Sequence, residues 1–333
     1  MQSIAIIGAG AWGTALAAAT RRAGRDVTLW AREPEVVAAI REDGENRPFL
    51  PGVPLDPEIV ATGDLDIAGT ADAVLLVVPA QHLRDVGERL SAILPAATPV
   101  AICAKGIETR SRRLMSDVLD EVLPGRPQAV LSGPTFAREV ANGRPSGVTL
   151  AARDPALAGK LTTALGSRDF RPYAGEDPIG AQIGGAVKNV IAIACGIVTG
   201  RGLGENARAA LITRGLAEMT RFGEVLGAER ETFAGLSGLG DLTLTCTSTA
   251  SRNYALGQSL AEGHDKENVL ASRPSVAEGA YTAEAVVAMA GERGVGMPIC
   301  AGVDAVLNRG ADIGAVMDDL MARPFTRETA TRT

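Results

Sequence analysis

A glycine-rich turn close to the N-terminus is the feature that most constrains the fold. The segment GAGAWG, with Gly8, Gly10 and Gly13, matches the pattern GxGxxG; it follows the apolar run 3–7 and opens an alanine-rich segment at 11–23. In this strand–turn–helix context the glycines permit a tight turn and close approach of a pyrophosphate, which the helix N-terminus attracts. The turn therefore predicts a dinucleotide-binding Rossmann unit, and a tight turn without a ligand is the alternative.

The first half of the chain alternates short apolar runs with helical segments. Runs such as 73–78 are almost wholly apolar, as is typical of strands buried on both faces of a sheet. Strands that alternate with helices predict a parallel, doubly wound sheet with right-handed crossovers. The predicted strands are 3–7, 26–30, 73–78, 99–103, 129–131 and 147–151, with the first helices at 11–23 and 35–42.

The pattern changes near Pro178, after which helices and glycine-rich loops replace the strands. We predict an α/β fold with an N-terminal Rossmann-type, mostly parallel doubly wound sheet at 1–178, an all-α C-terminal domain at 179–326 and a frayed tail at 327–333. Two domains agree with the length of 333 residues, at roughly 150 residues per domain. The helices predicted in the second domain are 179–198, 207–226, 282–293, 299–307 and 313–321.

The charge balance and the scattered cysteines exclude several classes of protein. A net charge of −6 argues against a nucleic-acid partner, which needs a basic surface. The cysteines show neither CxxC spacing nor nearby histidines, so we expect no metal site and buried free thiols of a reducing compartment. The longest apolar run, 190–198, is half of the ~18 residues that a membrane span needs, and no signal-peptide pattern opens the chain. We therefore expect a cytoplasmic protein without a membrane span; its cysteines are Cys103, Cys195, Cys246 and Cys300.

A basic residue follows the second predicted strand, where dinucleotide-binding folds choose between NAD and NADP. An acidic residue at this point binds the ribose 2′-hydroxyl of NAD, whereas an arginine accommodates the 2′-phosphate of NADP. Here Arg32 stands at the strand end and Glu33 follows it. The pair indicates a site competent for NADP or for both cofactors, and a solvated arginine at the start of a loop is the alternative.

Polar residues also follow two later strands of the predicted sheet. Lys105 comes after the apolar run 100–104, and Ser132, Gly133 and Thr135 come after 129–131. Ligands of open α/β sheets gather at the carboxyl ends of the strands. Each segment alone is compatible with a plain turn, but together they indicate a site beside the dinucleotide turn.

The helical half contains a lysine in an apolar helix. Lys188 has Gly184, Gly185 and Ala192 three or four positions away, and these small residues would leave its flanks open to a ligand. The alternative is a lysine whose stem packs while its ammonium reaches water.

Two polar clusters follow Lys188 in the helical half. A glycine-rich loop ends in Asp241, whose carboxylate could fix a lysine, and Ser251, Arg252 and Asn253 offer donors for a phosphate monoester. The alternative for the second cluster is a helix N-cap at Ser251 beside an exposed Arg252.

These stretches together resemble the bacterial NAD(P)-dependent glycerol-3-phosphate dehydrogenases. The matching segments occur in the family's order over nearly the full chain: GAGAWGTALA at 8–17, KGIE at 105–108, SGPTFA at 132–137, GAVKNVIAIACGI at 185–197, GLSGLGDLTLTC at 235–246, SRN at 251–253 and VAEGAYTA at 276–283. The resemblance implies interconversion of dihydroxyacetone phosphate and sn-glycerol 3-phosphate for glycerophospholipid synthesis, with NADPH/NADP or NADH/NAD and no metal. It also implies a homodimer with a helical C-terminal domain.

The resemblance also implies roles for individual residues. Lys188 is expected to be the proton donor and acceptor, with Asp241 orienting it and Lys105 beside it. The substrate shell implied is Lys105, Gly133, Thr135, Lys188, Asp241, Ser251, Arg252 and Asn253. The cofactor shell implied is Gly8, Gly10, Ala11, Trp12, Gly13, Arg32, Lys105, Ala137, Arg252, Val276 and Glu278.

Two positions depart from the family's pattern. Ala11 stands where many relatives carry serine, so we expect one hydrogen bond to the cofactor to be absent and the backbone turn to be kept. Arg32 stands where relatives often have histidine followed by arginine, so this site has one cation where those relatives have two.

Two other functions compete with this hypothesis. A related reductase acting on a carboxylate, such as a 2-hydroxyacid or ketopantoate reductase, shares the domain plan but does not explain the Asp241 and Ser251–Arg252–Asn253 clusters. A nucleotide-sensing module that is not an enzyme has the same fold class, because fold does not fix function. Lys188 and Asp241 argue against it, since a sensor needs no group that moves a proton.

Overall fold

The structure, a computed structural model, describes residues 1–264, 268–269 and 277–325. Within these residues, eight strands form one sheet and two form a small hairpin. The sheet strands are β1 (Ser3–Ile7), β2 (Asp26–Trp30), β3 (Val60–Thr62), β4 (Ala73–Leu76), β5 (Val100–Ile102), β8 (Gln128–Ser132), β9 (Ser146–Ala151) and β10 (Phe170–Gly175), and the hairpin strands are β6 (Ile107–Glu108) and β7 (Arg113–Leu114).

The sheet order is β10-β9-β8-β5-β4-β1-β2-β3. All neighbouring strands pair in parallel except β8 and β9, which are antiparallel. The mostly parallel, doubly wound sheet predicted from the sequence is confirmed. The predictions omitted β3, β10 and the hairpin, because these strands are very short or, like β10 with Pro172, lack a continuous apolar run.

Six helices cover the two faces of this sheet. Alternate side chains of β1 enter two separate apolar clusters, with Ile4 and Ile6 on one face and Ala5 and Ile7 on the other. Because successive side chains of a strand point to opposite faces, a sheet covered on both sides needs apolar residues at every position. The helices are α1 (Ala11–Arg22), α2 (Pro34–Asp43), α3 (Leu83–Ser91), α4 (Met115–Val122), α5 (Ala137–Ala141) and α6 (Pro155–Leu165).

The rest of the described chain is helical, as predicted. Its elements are α7 (Pro178–Gly200), α8 (Gly204–Val225), α9 (Asp241–Cys246), α10 (Arg252–Ala261), α11 (Glu278–Glu292), α12 (Pro298–Arg309) and α13 (Ile313–Met321). The predicted tail at 327–333 lies outside the described residues, and the division after residue 178 stays a prediction.

Helix α7 is the centre of the helical domain. Asp177 caps it by accepting a hydrogen bond from the Gly180 amide at 2.8 Å, and Pro178 occupies its first turn. The helix is long and apolar enough to cross a membrane, but 83% of its most apolar 18-residue segment is buried inside the protein. This burial is typical of the core helix of a globular domain.

Glycines bring α7 and α10 into backbone contact. A Cβ atom at Gly196 would lie 2.0 Å from the Tyr254 carbonyl oxygen, and one at Gly257 would lie 2.1 Å from that of Ile193. Neither distance is sterically possible, so both positions require glycine. The close approach fixes α10, whose first residue is Arg252, against the helix that carries Lys188.

Candidate active site

The three glycines of the N-terminal turn serve different purposes. Gly8 has φ +118°, which favours glycine, and a Cβ there would meet the Val77 backbone at 2.9 Å. A Cβ at Gly13 would lie 1.8 Å from the Gly8 carbonyl oxygen, so Gly13 is needed for packing within the turn. A Cβ at Gly10 would have no neighbour within 4 Å in the part of the chain that the structure describes. The space in front of Gly10 is therefore open for a ligand, as a pyrophosphate requires.

The start of α1 is suited to an anion. Among the described residues, no side chain caps its N-terminus at Gly10, and its first turn contains no acidic residue, so backbone amides and the positive end of the helix dipole face outward. Behind the turn, the buried Asn46 amide donates to the Ala9 carbonyl at 2.8 Å and to the Thr14 hydroxyl at 2.7 Å. Asn46 was missed from the sequence, because nothing near it in the chain indicates a contact with a turn more than thirty residues away.

Arg32 and Glu33 form an ion pair at the end of β2. Glu33 Oε1 accepts from Arg32 Nη2 at 2.7 Å and from Nε at 3.0 Å. The Arg32 side chain is 71% exposed, whereas that of Glu33 is 29% exposed. The guanidinium is thus accessible to a 2′-phosphate, but a neighbouring carboxylate already neutralises part of its charge.

Two lysines from different domains share one carboxylate. Asp241 is fully buried; its Oδ1 accepts from Lys188 Nζ at 2.5 Å and its Oδ2 from Lys105 Nζ at 2.8 Å. Lys188 also donates to the Thr245 hydroxyl at 2.9 Å, and Lys105 donates to the Gly133 carbonyl at 2.8 Å. Two ammonium groups and one carboxylate leave an excess of positive charge in this centre.

Burial lowers the pKa of Lys188 from its usual 10.5 to about 8. The cost of desolvating the ammonium is the largest cause, and the positive charge of Lys105 acts in the same direction, while Asp241 opposes both. A pKa near neutrality is suited to a group that must both donate and accept a proton.

The flanks of Lys188 face protein and not an open space. A Cβ at Gly184 would lie 2.2 Å from the Ser237 carbonyl oxygen, and one at Gly185 would lie 2.8 Å from Ser132 Oγ and 3.2 Å from Lys105 Cγ. The two glycines therefore admit the π-helical turn Leu236–Gly240, which leads into Asp241, and the stem of Lys105. The expectation that they open the lysine to a ligand is wrong, because these neighbours lie far away in the sequence.

A chain of amides connects α7, α10 and α11 beside the lysine centre. Asn189 donates to the Gly185 carbonyl at 3.1 Å and to the Lys105 carbonyl at 3.3 Å. Its own amide oxygen accepts from Asn253 Nδ2 at 2.9 Å, and Asn253 Oδ1 accepts from the Gly279 amide at 3.0 Å. Asn253 is thus held by protein on both sides, and it fixes the start of α11.

Ser251 and Arg252 stand at the N-terminus of α10. The Ser251 hydroxyl accepts from the Tyr254 amide at 3.3 Å and so caps the helix, while a hydroxyl that accepts one bond can still donate another. The Arg252 side chain is exposed to solvent. Ser251 is thus the helix N-cap that the alternative interpretation predicted. A Ser251 N-cap is compatible with a ligand bound at Arg252.

Glu278 opens α11 at the carboxyl end of β4. Its Oε1 accepts from the Ala80 amide at 3.2 Å, while its buried Oε2 has no hydrogen-bond partner among the described residues. Burial raises the pKa of Glu278, and its bond with Ala80 and the charge of Arg252 counteract this. An unpaired buried carboxylate oxygen is costly, so this atom is suited to accept a donor from a ligand.

The structure brings five of the predicted residues together in one centre. Lys105, Gly133, Lys188 and Asp241 are joined directly, and the Thr135 hydroxyl donates to the same Gly133 carbonyl at 3.1 Å. Arg32 lies apart at the end of β2, and Ala137 begins α5. Val276 lies outside the described residues. Thr245 and Asn189 take part in the network although neither was among the predicted site residues.

A Rossmann-type sheet with a glycine turn after β1, joined through Lys105 to a buried lysine and carboxylate of the helical domain, is the architecture of a two-domain NAD(P)-dependent dehydrogenase. The family model described as NAD-dependent glycerol-3-phosphate dehydrogenase N-terminus matches residues 3–158, and the one described as the C-terminus matches residues 177–318. The chain belongs to the NAD-dependent glycerol-3-phosphate dehydrogenase family.

Curated relatives and solved structures agree with this assignment. The chain is 59% identical to glycerol-3-phosphate dehydrogenase [NAD(P)+] of Rhodospirillum rubrum, over 98% of this chain and 93% of the relative. It is 52% identical to that of Parvibaculum lavamentivorans, over 98% of both chains. The crystal structure of glycerol-3-phosphate dehydrogenase from Coxiella burnetii matches with a TM-score of 0.93 and 39% identity, over 97% of this chain and 99% of that one. A ketopantoate reductase from Ralstonia eutropha shares the fold alone, with a TM-score of 0.57 and 17% identity over 96% of this chain and all of that one.

Proposed function

We propose that this enzyme interconverts dihydroxyacetone phosphate and sn-glycerol 3-phosphate with NADPH or NADH, and that Lys188 is the proton donor and acceptor. The observation that carries the proposal is the pair of lysines on Asp241, in a chain of this family. An absorbance assay of NADPH oxidation with dihydroxyacetone phosphate, repeated with NADH and with ketopantoate as control substrate, tests it. Turnover of ketopantoate without turnover of dihydroxyacetone phosphate would overturn the proposal.

The chemistry follows from the positions of the two ammonium groups. The reduced nicotinamide, when bound, supplies a hydride to the carbonyl carbon. As negative charge develops on the carbonyl oxygen, the Lys188 ammonium donates a hydrogen bond and then transfers its proton, which gives the alcohol. Asp241 orients Lys188, and Lys105 contributes a second positive charge near the same oxygen. In the oxidation direction, neutral Lys188 accepts the hydroxyl proton.

This assignment predicts opposite pH profiles for the two directions. Because the pKa of Lys188 is about 8, the ammonium needed for ketone reduction is present below this pH and is lost above it. We expect kcat/KM for reduction, which reports ionisation of the free enzyme, to be constant at lower pH and to fall about tenfold per pH unit above about pH 8. We expect kcat/KM for oxidation to rise through the same pH and then to level off. Steady-state rates in both directions from pH 6 to about 10 check this; parallel profiles would contradict it.

Arg252 is proposed to bind the phosphate of the substrate. Replacing it with alanine removes a charge-assisted donor, so we expect KM for dihydroxyacetone phosphate to rise at least about tenfold, with a smaller change in kcat. Saturation kinetics with the exposed Arg201→Ala as control measure the effect. A KM within twofold of normal in Arg252→Ala would remove Arg252 from the phosphate site.

The ion pair between Arg32 and Glu33 is proposed to set the choice of cofactor. Glu33→Gln frees the guanidinium for a 2′-phosphate, so we expect kcat/KM for NADPH relative to NADH to rise several-fold. Arg32→Gln should lower the same ratio about tenfold. Both variants are assayed with each cofactor at saturating ketone. An unchanged ratio in both would show that adenosine binding does not involve this pair.

We further propose that the enzyme supplies glycerophospholipid synthesis in the cytoplasm and that it is a homodimer. The exposed apolar side chains of Met321 and Phe325, 84% and 107% exposed, support an association surface at the end of the described chain. Light scattering of the purified full chain tests the dimer, and a monomer at micromolar concentration would contradict it.

A further inference from the structure

A concave surface lies at the contact between the two domains, away from the lysine centre. It encloses about 600 Å³ and is lined by residues of both domains. Its charged lining comprises four arginines and two carboxylates, which leaves two positive charges in excess. These residues are Arg110, Arg112, Arg113, Arg293, Asp117 and Glu292.

We propose that this arginine pocket binds a small molecule bearing a phosphate or pyrophosphate group. Guanidinium groups form bidentate, charge-assisted bonds with phosphate oxygens. Arg112 is paired with Glu292 at 2.7 Å and Arg113 with Glu121 at 2.8 Å. No described carboxylate lies within ion-pair distance of Arg110, and Arg293 reaches Glu292 only at 3.6 Å. The pocket thus has positive charge that the protein itself does not neutralise.

Hydrogen bonds to neighbouring side chains support the loop that carries Arg110, Arg112 and Arg113. Buried Glu108 accepts from Arg84 Nε and Nη2, both at 2.9 Å, and from the Ser111 hydroxyl. The Gln81 side chain accepts from the Thr109 amide at 3.0 Å and hydroxyl at 2.9 Å. A loop with this support presents its arginines in a fixed arrangement, which lowers the entropy lost when a ligand binds.

The conformation of Arg112 is also unusual. It is the one non-glycine residue with positive φ, 56°, among those that the structure describes. A side chain in the left-handed region is disfavoured, and here it brings the Arg112 guanidinium across to Glu292 of the helical domain. A ligand in the pocket would therefore contact both sides of the domain boundary at an existing bridge.

The pocket is separate from the proposed active site but shares its supporting elements. Ile179 lies nine residues before Lys188 on α7, about 13 Å at 1.5 Å per residue. Met289 lies eleven residues after Glu278 on α11, or about 16 Å. A molecule in the pocket is thus too far away to contact the lysine centre, and the proposal does not depend on which substrate the enzyme reduces.

Calorimetric titration of the full chain with inorganic pyrophosphate at constant ionic strength tests the proposal. Saturating NADP⁺ occupies the glycine turn, and an Arg252→Ala background removes the arginine of the proposed substrate site. In this background we expect Arg110→Gln with Arg293→Gln to weaken binding at least about tenfold. Glu292→Gln, which removes a competing carboxylate, should strengthen binding several-fold. The control is Arg201→Gln with Arg323→Gln, two exposed arginines outside the pocket lining whose loss changes the net charge equally.

The opposite signs separate a specific site from misfolding, and the charge-matched control separates it from general electrostatics. Neither loss of structure nor loss of net charge would give weaker binding in the arginine variant, tighter binding in Glu292→Gln and unchanged binding in the control. Absence of pyrophosphate binding in the background protein would overturn the proposal. So would equal weakening in the control, or an unchanged dissociation constant in the Arg110→Gln and Arg293→Gln variant.

Discussion

Replacing Lys188 with alanine is expected to lower kcat for ketone reduction about a thousandfold or more. The change removes the proposed proton donor together with the positive charge proposed to stabilise the developing oxyanion, and such groups contribute factors of about 10²–10⁴ each. Binding of the dinucleotide should be nearly unchanged, because the glycine turn lies on the other domain. Single-turnover kinetics and titration of cofactor fluorescence measure the two quantities separately.

Two further variants make this result interpretable. Lys188→Met keeps the buried stem and loses only the ammonium, so it should be as inactive as Lys188→Ala but better folded. Lys160→Ala removes an exposed lysine on α6 and should retain full activity. If Lys188→Met kept kcat within tenfold of the unmodified enzyme, Lys188 could not be the proton donor.

Substituting Gly184 with alanine is expected to cost about 2 kcal/mol of folding free energy and to lower kcat at least tenfold. Overpacking costs roughly 1–3 kcal/mol, and the upper end applies because the new Cβ would meet a backbone carbonyl, that of Ser237, at 2.2 Å. The higher helix propensity of alanine offsets about 1 kcal/mol of this destabilisation. Catalysis suffers because relief of the clash displaces the turn that leads into Asp241.

Gly159 provides the matched control for this substitution. It is exposed on α6, and a Cβ there would lie more than 4 Å from every described residue that does not adjoin it in the helix. Gly159→Ala should therefore stabilise the protein by up to ~1 kcal/mol with unchanged kcat. Urea unfolding of both variants gives the two free energies. Equal stability of the two alanine variants would mean that α7 and the turn do not pack as described.

The fold could be predicted from local signals to a large extent. Apolar runs such as that ending in Leu76 mark the central strands, and the long apolar pattern after Pro178 marks α7. The reversal of β9 could not be predicted, because an apolar run carries no information about strand direction. The same is true of β3, three residues long, whose Val60 is exposed at the edge of the sheet.

The candidate site was predictable in its residue types but not in its connections. The sequence pointed to Lys105, Lys188 and Asp241 one at a time. It did not show that the Asp241 carboxylate binds both lysines, because these contacts join residues 53 and 136 positions apart. Asn189 was overlooked because an amide beside a lysine in an apolar helix carries no local signal. The purpose of Gly184 was misjudged for the same reason.

The bridge from Lys105 to Asp241 also restricts how the enzyme can move. Lys105 lies in the loop that follows β5 and Asp241 begins α9, and the Asp241 carboxylate has no access to water. Opening wide enough to part them would leave Asp241 paired with Lys188 alone and would cost the charge-assisted bond to Lys105, about 1.5–3 kcal/mol. Such opening is therefore disfavoured, and small movements of loops around an assembled lysine centre would keep the proposed catalytic groups in contact from one cycle to the next.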